Sequence, residues 1–274
     1  GTAHVASPPR TPRFAERDHT MTSQTTTQQE TVGSERETVV SVDGLGHAFG
    51  DLDVLADITF TVEEGTVACI IGPNGSGKTT LLRLVAGLLD PDEGTVNVAD
   101  SGDRRVGYLA QQPAFRPQFS VRETVEFYGS LVESDTDTDA VLERVGLAAV
   151  AERRVDALSG GMMRLLGIAQ TTVGDPPVLV LDEPSSGLDP MMTRHITEVV
   201  DGLADDGDAV LLSTHDLRSV ERVADRVLVV DQGELVATGT PESILDDTRT
   251  ETLEDALDAL SRAEGDISVS AGLH

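Results

Sequence analysis

"IIGPNGSGKTT", Ile70 to Thr80, is the stretch that decides the fold. It completes the apolar run "TVACII" and leads into "TTLLRLVAGLL", whose apolar residues recur at helical spacing, so a glycine turn joins a buried strand to a helix. Gly72, Gly77, Lys78 and Thr79 satisfy the pattern G-x-x-x-x-G-K-[ST] in full, with Asn74, Gly75 and Ser76 between them and Thr80 after. Glycines let successive backbone N–H groups curl around a phosphate with no Cβ in the way, and the following helix aims its positive end at the anion. In such a loop Lys78 is expected to reach the β- and γ-phosphates of a nucleotide, and the Thr79 hydroxyl to ligate Mg²⁺. Lys78 is the one lysine in the chain; every other basic residue is arginine. An ammonium is a compact point charge on a flexible stem, whereas a guanidinium is a planar fork too broad for the space beside a backbone-wrapped phosphate.

Moving outward, "TVVSVDGL", "DITFTV" and "TVACIIG" read as strands bounded by Gly, Asp or Glu turns. Strands are predicted at 94–98 and 106–110, helices at 121–132, 139–146 and 160–171, then a buried strand "PVLVLD" and a helix near 190–204. The strand "AVLLST", a helix near 216–224 and a strand–turn–strand around "RVLVVDQGELVA" complete the pattern. Alternating helices and near-continuous apolar strands argue for an α/β fold with a mostly parallel sheet covered on both faces. The stretch from about 112 to 170 contains no comparable strand run and is expected to form a helical lobe.

Composition narrows the function classes. The 274 residues suffice for one large domain or a domain plus a lobe. No run approaches the roughly 20 apolar residues of a membrane-spanning helix, so a soluble chain is expected. Forty-eight acidic against 20 basic side chains give a formal charge of −28, spread along blocks such as "DGLADDGDAV" and "LEDALDAL" that read as solvated faces. With arginine replacing lysine almost throughout, this composition resembles that of proteins from salt-loving cytoplasms, where the Debye length is about 3 Å. Nucleic acid is not an expected partner, because the clustered Lys/Arg that bind phosphate backbones are missing. The single Cys69, inside "VACII", is expected to be a buried small hydrophobe and allows no intrachain disulfide. Residues 1–37, rich in Thr, Ser, Gln, Pro and charge, are expected to be a disordered extension, with Met21 a candidate start and no secretory h-region.

"VLVLDE", Val178 to Glu183, is an apolar strand ending in two carboxylates, where an α/β sheet presents its ligand crevice. Asp182 is the candidate Mg²⁺ holder, through water, and Glu183 the candidate polariser of an attacking water. "LSGGM", Leu158 to Met162, then carries a family resemblance: with the two nucleotide motifs it is similar to the LSGGQ signature of ATP-binding-cassette (ABC) ATPases, over about residues 38–262. Met162 stands where the family usually has Gln, a variation associated with exporter-like members.

The resemblance implies an ABC ATPase fold: a P-loop NTPase core with a mostly parallel sheet, an antiparallel β subdomain on the N-terminal side and a helical lobe. It implies an ATPase domain over 38–247 and a short helical tail over 248–274. Phe49 sits where the family stacks an aromatic on adenine. Gln111, with Gln112 as the alternative register, resembles the glutamine that senses Mg²⁺ and the attacking water. Ser186 to Asp189 resembles the D-loop that crosses the dimer interface, and His215 the switch histidine that contacts the γ-phosphate. The resemblance further implies a second copy of the domain, with Ser159, Gly160 and Gly161 meeting ATP held by the partner's Lys78. Separate transmembrane permease subunits are implied too, reached near "FRPQFSVRETVEFYGSL", and a peripheral place at the cytoplasmic face of the cell membrane. Export is the leading expectation, supported by the likeness of the tail "TGTPESILDDTRTETLEDALDALS" to ATPases of ABC-2-type exporters. A haem-export or importer subunit, or a soluble ABC ATPase of iron–sulfur assembly or DNA repair, is the alternative. The remaining histidines, His4, His19, His47, His195 and His274, have no ligand spacing.

Overall fold

The computed structural model describes residues 36–99, 104–133 and 135–261. Most of the expected N-terminal extension and the end of the tail lie outside the described residues, as do His4, His19 and His274. In chain order the elements are β1 Thr38–Phe49, β2 Leu52–Glu63, β3 Val67–Ile71, α1 Lys78–Val85, β4 Glu93–Val98, β5 Val106–Leu109, α2 Val121–Gly129, α3 Thr138–Arg144 and α4 Gly160–Thr172. There follow β6 Val178–Asp182, α5 Pro190–Asp205, β7 Ala209–Ser213, α6 Leu217–Val223, β8 Arg226–Asp231, β9 Glu234–Gly239 and α7 Pro241–Thr248. A last helix, α8, covers 253–261.

Six strands form one sheet in the order β5-β6-β7-β3-β8-β9, parallel except for β9, and β2-β1-β4 form an antiparallel sheet of three. The period-2 alternation of β3 explains how the larger sheet is covered. Val67, Cys69 and Ile71 face a core shared with α4, α5 and α6, while Ala68 and Ile70 face α1 and the antiparallel sheet. Every residue of β3, β6 and β7 is buried, which accounts for their near-continuous apolar runs. Each fully buried Leu, Ile or Val contributes about 1.5–3 kcal/mol of transfer free energy, so these strands are the anchor of the crevice at their carboxyl ends.

Three details differ from the sequence pattern. β1 and β2 extend to a two-residue connection at Gly50 and Asp51, because register shifts along β1 absorb the polar and glycine interruptions that obscured the alternation. The first helix stops at Val85 instead of running on through "GLL": Gly87 takes φ +66° and Leu88 N–H closes back on the Arg83 carbonyl at 2.9 Å, a glycine-terminated end. Likewise α2 ends at Gly129, three residues early, where Ser130 caps it.

Between β5 and β6 the described chain holds α2, α3 and α4 and two short 3₁₀ turns. Ser120 and Glu123 form a reciprocal capping box that starts α2. Arg144 at the end of α3 reaches Asp206 and Asp208, at 3.1 and 2.8 Å, tying this helical segment to the turn before β7. α4 lies hard against β5, where a Cβ on Gly107 would fall 2.0 Å from the Thr171 carbonyl oxygen. In α8, Leu253 and Ala256 join the core beside β8 while Glu254, Asp255 and Asp258 point outward.

Cys69 is fully buried, and burial, with Asp225 nearby, pushes its thiol far above the usual range. Iodoacetamide is therefore expected to modify it only after unfolding, as followed by mass spectrometry; rapid labelling of the native chain would contradict this packing.

Candidate functional site

β3 delivers the chain to Gly72, whose φ of +148° and lack of Cβ are both required: a Cβ there would lie 1.9 Å from the Val230 carbonyl oxygen. The loop closes at Gly77, the N-cap of α1. Lys78, buried at 8% exposure, folds back so that its Nζ donates to the carbonyls of Gly72 and Pro73 at 2.8 and 2.7 Å. Burial lowers its pKa, and the carboxylates of Glu183 and Asp182 oppose that shift by attraction. Inside the loop the Ser76 hydroxyl is buried with no hydrogen-bond partner, a polar atom left for a ligand to satisfy.

The register of β6 against β7 sets the acidic half of the site. Asp182 lies opposite Ser213, whose hydroxyl donates to Asp182 Oδ1 at 2.8 Å; the Thr79 hydroxyl donates to the same oxygen at 3.2 Å. Glu183 follows with φ +51°, a left-handed conformation that costs a non-glycine residue about 1–3 kcal/mol. Its N–H is held by the Ser213 carbonyl and hydroxyl, at 3.2 and 3.0 Å, which offsets part of that strain. The turned backbone brings the Glu183 carboxylate, Oε2, to 2.7 Å from Nδ1 of His215, just beyond β7. Glu183 is nearly enclosed and His215 is 64% exposed, so the pair runs from the cleft to the surface.

A cleft of about 300 Å³ gathers Asn74, Gly75, Gly77, Lys78, Thr79 and Thr80 from the loop and α1 with Gln111, Asp182 and Glu183. Gln111 lines it, and Gln112 is not among the lining residues. Phe49 lies at the end of β1, 51% exposed and edge-on to His47 at 4.8 Å, and is not part of that lining. Ser159, Gly160 and Gly161 stand apart from it at the start of α4, where the Ser159 hydroxyl accepts from Met162 N–H at 3.3 Å. Gly161 packs so closely on α5 that a Cβ would lie 2.4 Å from Met192 Cγ. Asp189 caps α5, accepting from the N–H groups of Met191 and Met192.

Two residues escaped the sequence reading. Ser213 links Asp182 to Glu183, and only its place as the last residue of a strand hinted at this. Arg164, on α4, donates to the Gln111 carbonyl; burial lowers its pKa while Asp182 and Glu183 counteract the shift, so it bears electrostatically on the acidic pair. Nothing in its local sequence marks it.

The donor set suits a small hard cation. Thr79 and Asp182 offer a hydroxyl and a carboxylate oxygen beside a phosphate loop, and no group of three or more His, Cys, Asp or Glu that could hold a metal occurs among the described residues. A hard divalent cation such as Mg²⁺ takes oxygen ligands of this kind.

Comparison with known proteins shows the family. Residues 55–186 match the family model described as ABC transporter. The chain is 35% identical over 250 residues, 86% of its length and 78% of the relative's, to the daunorubicin resistance ATP-binding protein DrrA3 of Streptomyces coeruleorubidus. The chain belongs to the ABC transporter family. A second relative of this ABC protein, the Nod factor export ATP-binding protein I of Bradyrhizobium diazoefficiens, is 35% identical over 74% of the chain and 71% of its own length. Among solved structures, an ATP-binding subunit of an ABC transporter superposes with TM-score 0.71 at 25% identity, covering 82% of this chain and all of that one. A nucleotide-free ATP-binding cassette gives TM-score 0.68 at 25% identity, over 78% of this chain and 97% of that one. The ABC ATPase fold expected from the signature is thus shown, and the chain is an ATP-binding and ATP-hydrolysing subunit. Among the described residues no helix is long and apolar enough to cross a membrane.

Proposed function

We propose that two copies of this ABC ATPase close around two ATP molecules at the cytoplasmic face of the cell membrane and drive export through separate permease subunits. The observation that carries the reading is the division of the site. One set of groups, Lys78, Thr79, Gln111, Asp182 and Glu183, converges on a single cleft, while Ser159 to Gly161 lie outside it. A signature turn absent from its own cleft is available to a neighbour's nucleotide. The Ser159 hydroxyl, which accepts from Met162, keeps its proton free to donate to a γ-phosphate, and the N-terminus of α4 adds its positive end. The close packing of Gly161 on Met192 joins the signature turn to the helix capped by Asp189, so both surfaces that would face a second copy move as one.

Within each cleft the ammonium of Lys78 offsets charge on the transferring phosphoryl, and Glu183 orients the attacking water while His215 holds its carboxylate in place. Mg²⁺, held by Thr79 and by Asp182 through water with Gln111 nearby, would supply further charge neutralisation. Phe49, exposed on β1, is free to stack on adenine. ATP completes the interface; hydrolysis and phosphate release open it. Export is favoured by Met162 in the signature and by relatives named for drug resistance and Nod factor export. The permease is met near Phe115, Phe119, Phe127 and Tyr128, where Arg116 stacks on Phe119 and Phe127 with its guanidinium 5.1 and 4.3 Å from the ring centres. Co-purification with the membrane protein encoded next to it, followed by transport assays in inside-out vesicles, tests this; with ATP outside, cargo gathering in the lumen is the expected result, and ATP-driven loss of preloaded cargo from the lumen would favour import.

The acidic surface belongs to the same reading. Side chains such as Asp201, Asp205, Glu254 and Asp255 are exposed, and their self-repulsion relaxes only when salt screens it. ATPase activity is expected to rise from dilute to molar KCl, and a maximum in dilute buffer would overturn the high-salt adaptation.

A further inference from the structure

Beside the nucleotide cleft lies a second hollow, of about 500 Å³, between the loop 185–188, the first turns of α5 and α6. Glu183 lines the first cleft, His215 lines the second, and their 2.7 Å contact joins the two. The second hollow inverts the charge of the chain. Three arginines, Arg194, Arg218 and Arg222, line it against one carboxylate, Asp216, although acidic residues outnumber basic ones 48 to 20 overall. Asp216 accepts the Ser219 hydroxyl at 2.6 Å, and Arg194 is paired with Glu198 at 2.9 Å. Arg218 and Arg222 form no ion pair or side-chain hydrogen bond among the described residues, although Glu198 feels the charge of Arg222. Self-repulsion does not explain leaving two cations unpaired in one concavity when the surface around it is rich in carboxylates.

Guanidinium forks match the edges of a tetrahedral oxyanion, and the hydroxyls of Ser185 and Thr193 add donors to the same hollow. We propose that this hollow is a product site that binds the inorganic phosphate released on the other side of the Glu183–His215 pair. The inference rests on the reading of the first cleft as the hydrolysis site. Phosphate leaving past His215 meets arginine before it meets the acidic exterior, which would otherwise repel it.

The test titrates inorganic phosphate into the full chain in KCl, by calorimetry and ³¹P line broadening, with a non-hydrolysable ATP analogue titrated in parallel. Wild type, Arg218→Ala/Arg222→Ala, Arg218→Lys/Arg222→Lys and Lys78→Ala are compared, with thermal melting to show that each is folded. Lys78→Ala is expected to remove only the phosphate taken by the glycine loop and to leave a second phosphate site; the double alanine variant is expected to weaken that second site about tenfold or more, and the double lysine variant less. The inhibition constant of phosphate for ATP turnover should rise in the double alanine variant by the same factor. Phosphate binding that is abolished by Lys78→Ala and untouched by the double alanine change places the anion in the glycine loop and overturns the proposal, as does a wild-type chain that binds no phosphate. Loss of analogue binding by the wild type would instead strike the reading of the first cleft, and the phosphate titration would still report on the second.

Discussion

Glu183→Gln is expected to lower steady-state ATP turnover by about 10²–10⁴-fold while leaving nucleotide binding in place. The amide keeps the shape of the carboxylate and can still meet His215 Nδ1 across the 2.7 Å contact, so the substitution preserves position and removes charge. The left-handed backbone at this residue, with φ +51°, is held by Ser213 through the main chain and is indifferent to the change. On the proposed mechanism, what is lost is the negative charge that polarises and orients the attacking water as it approaches the phosphoryl group. Turnover at the parental rate, measured by phosphate release with ATP saturating, would remove Glu183 from that role.

Lys78→Arg is expected to weaken ATP binding by roughly 10- to 100-fold, the equivalent of one charge-assisted hydrogen bond of about 1.5–3 kcal/mol. The position is 8% exposed, and its ammonium already makes two bonds of 2.8 and 2.7 Å to the carbonyls that shape the loop. A guanidinium keeps the charge, but its planar fork needs room in the plane of the loop that Gly72, pressed against Val230, cannot yield. The comparison therefore isolates size and shape from charge. Unchanged affinity for a non-hydrolysable analogue, in a variant that melts like the wild type, would refute the argument that lysine survives here for its compactness.

The sequence conveyed the fold in its buried parts more faithfully than the site in its contacts. β3, β6 and β7 are buried on both faces, so their composition alone separates them from helices and turns, and "IIGPNGSGKTT" fixes the strand–loop–helix order. The β1–β2 hairpin was less legible because its bulges break the alternation that marks a strand. Individual candidates at the site were legible because each sits in a local pattern: Lys78 in its loop, Asp182 and Glu183 at a strand end, His215 after another. Their relations were not, since the Glu183–His215 contact spans 32 residues and the Thr79–Asp182 bond 103. Arg164 and Ser213 act only through such long-range contacts and so leave no mark in sequence. The arginine-lined hollow is of the same kind, assembled from α5 and α6, whose basic residues look unremarkable when read along the chain.

The division between a cleft and a signature turn that lies outside it makes one measurement decisive. Sedimentation of the Glu183→Gln chain in molar KCl, with and without ATP, reports whether the copies close around nucleotide. A monomer that becomes a dimer on adding ATP, and fails to do so when Ser159 is also replaced by a bulky residue, is the predicted result. A chain that stays monomeric with ATP bound, even alongside its membrane partner, would contradict the paired engine.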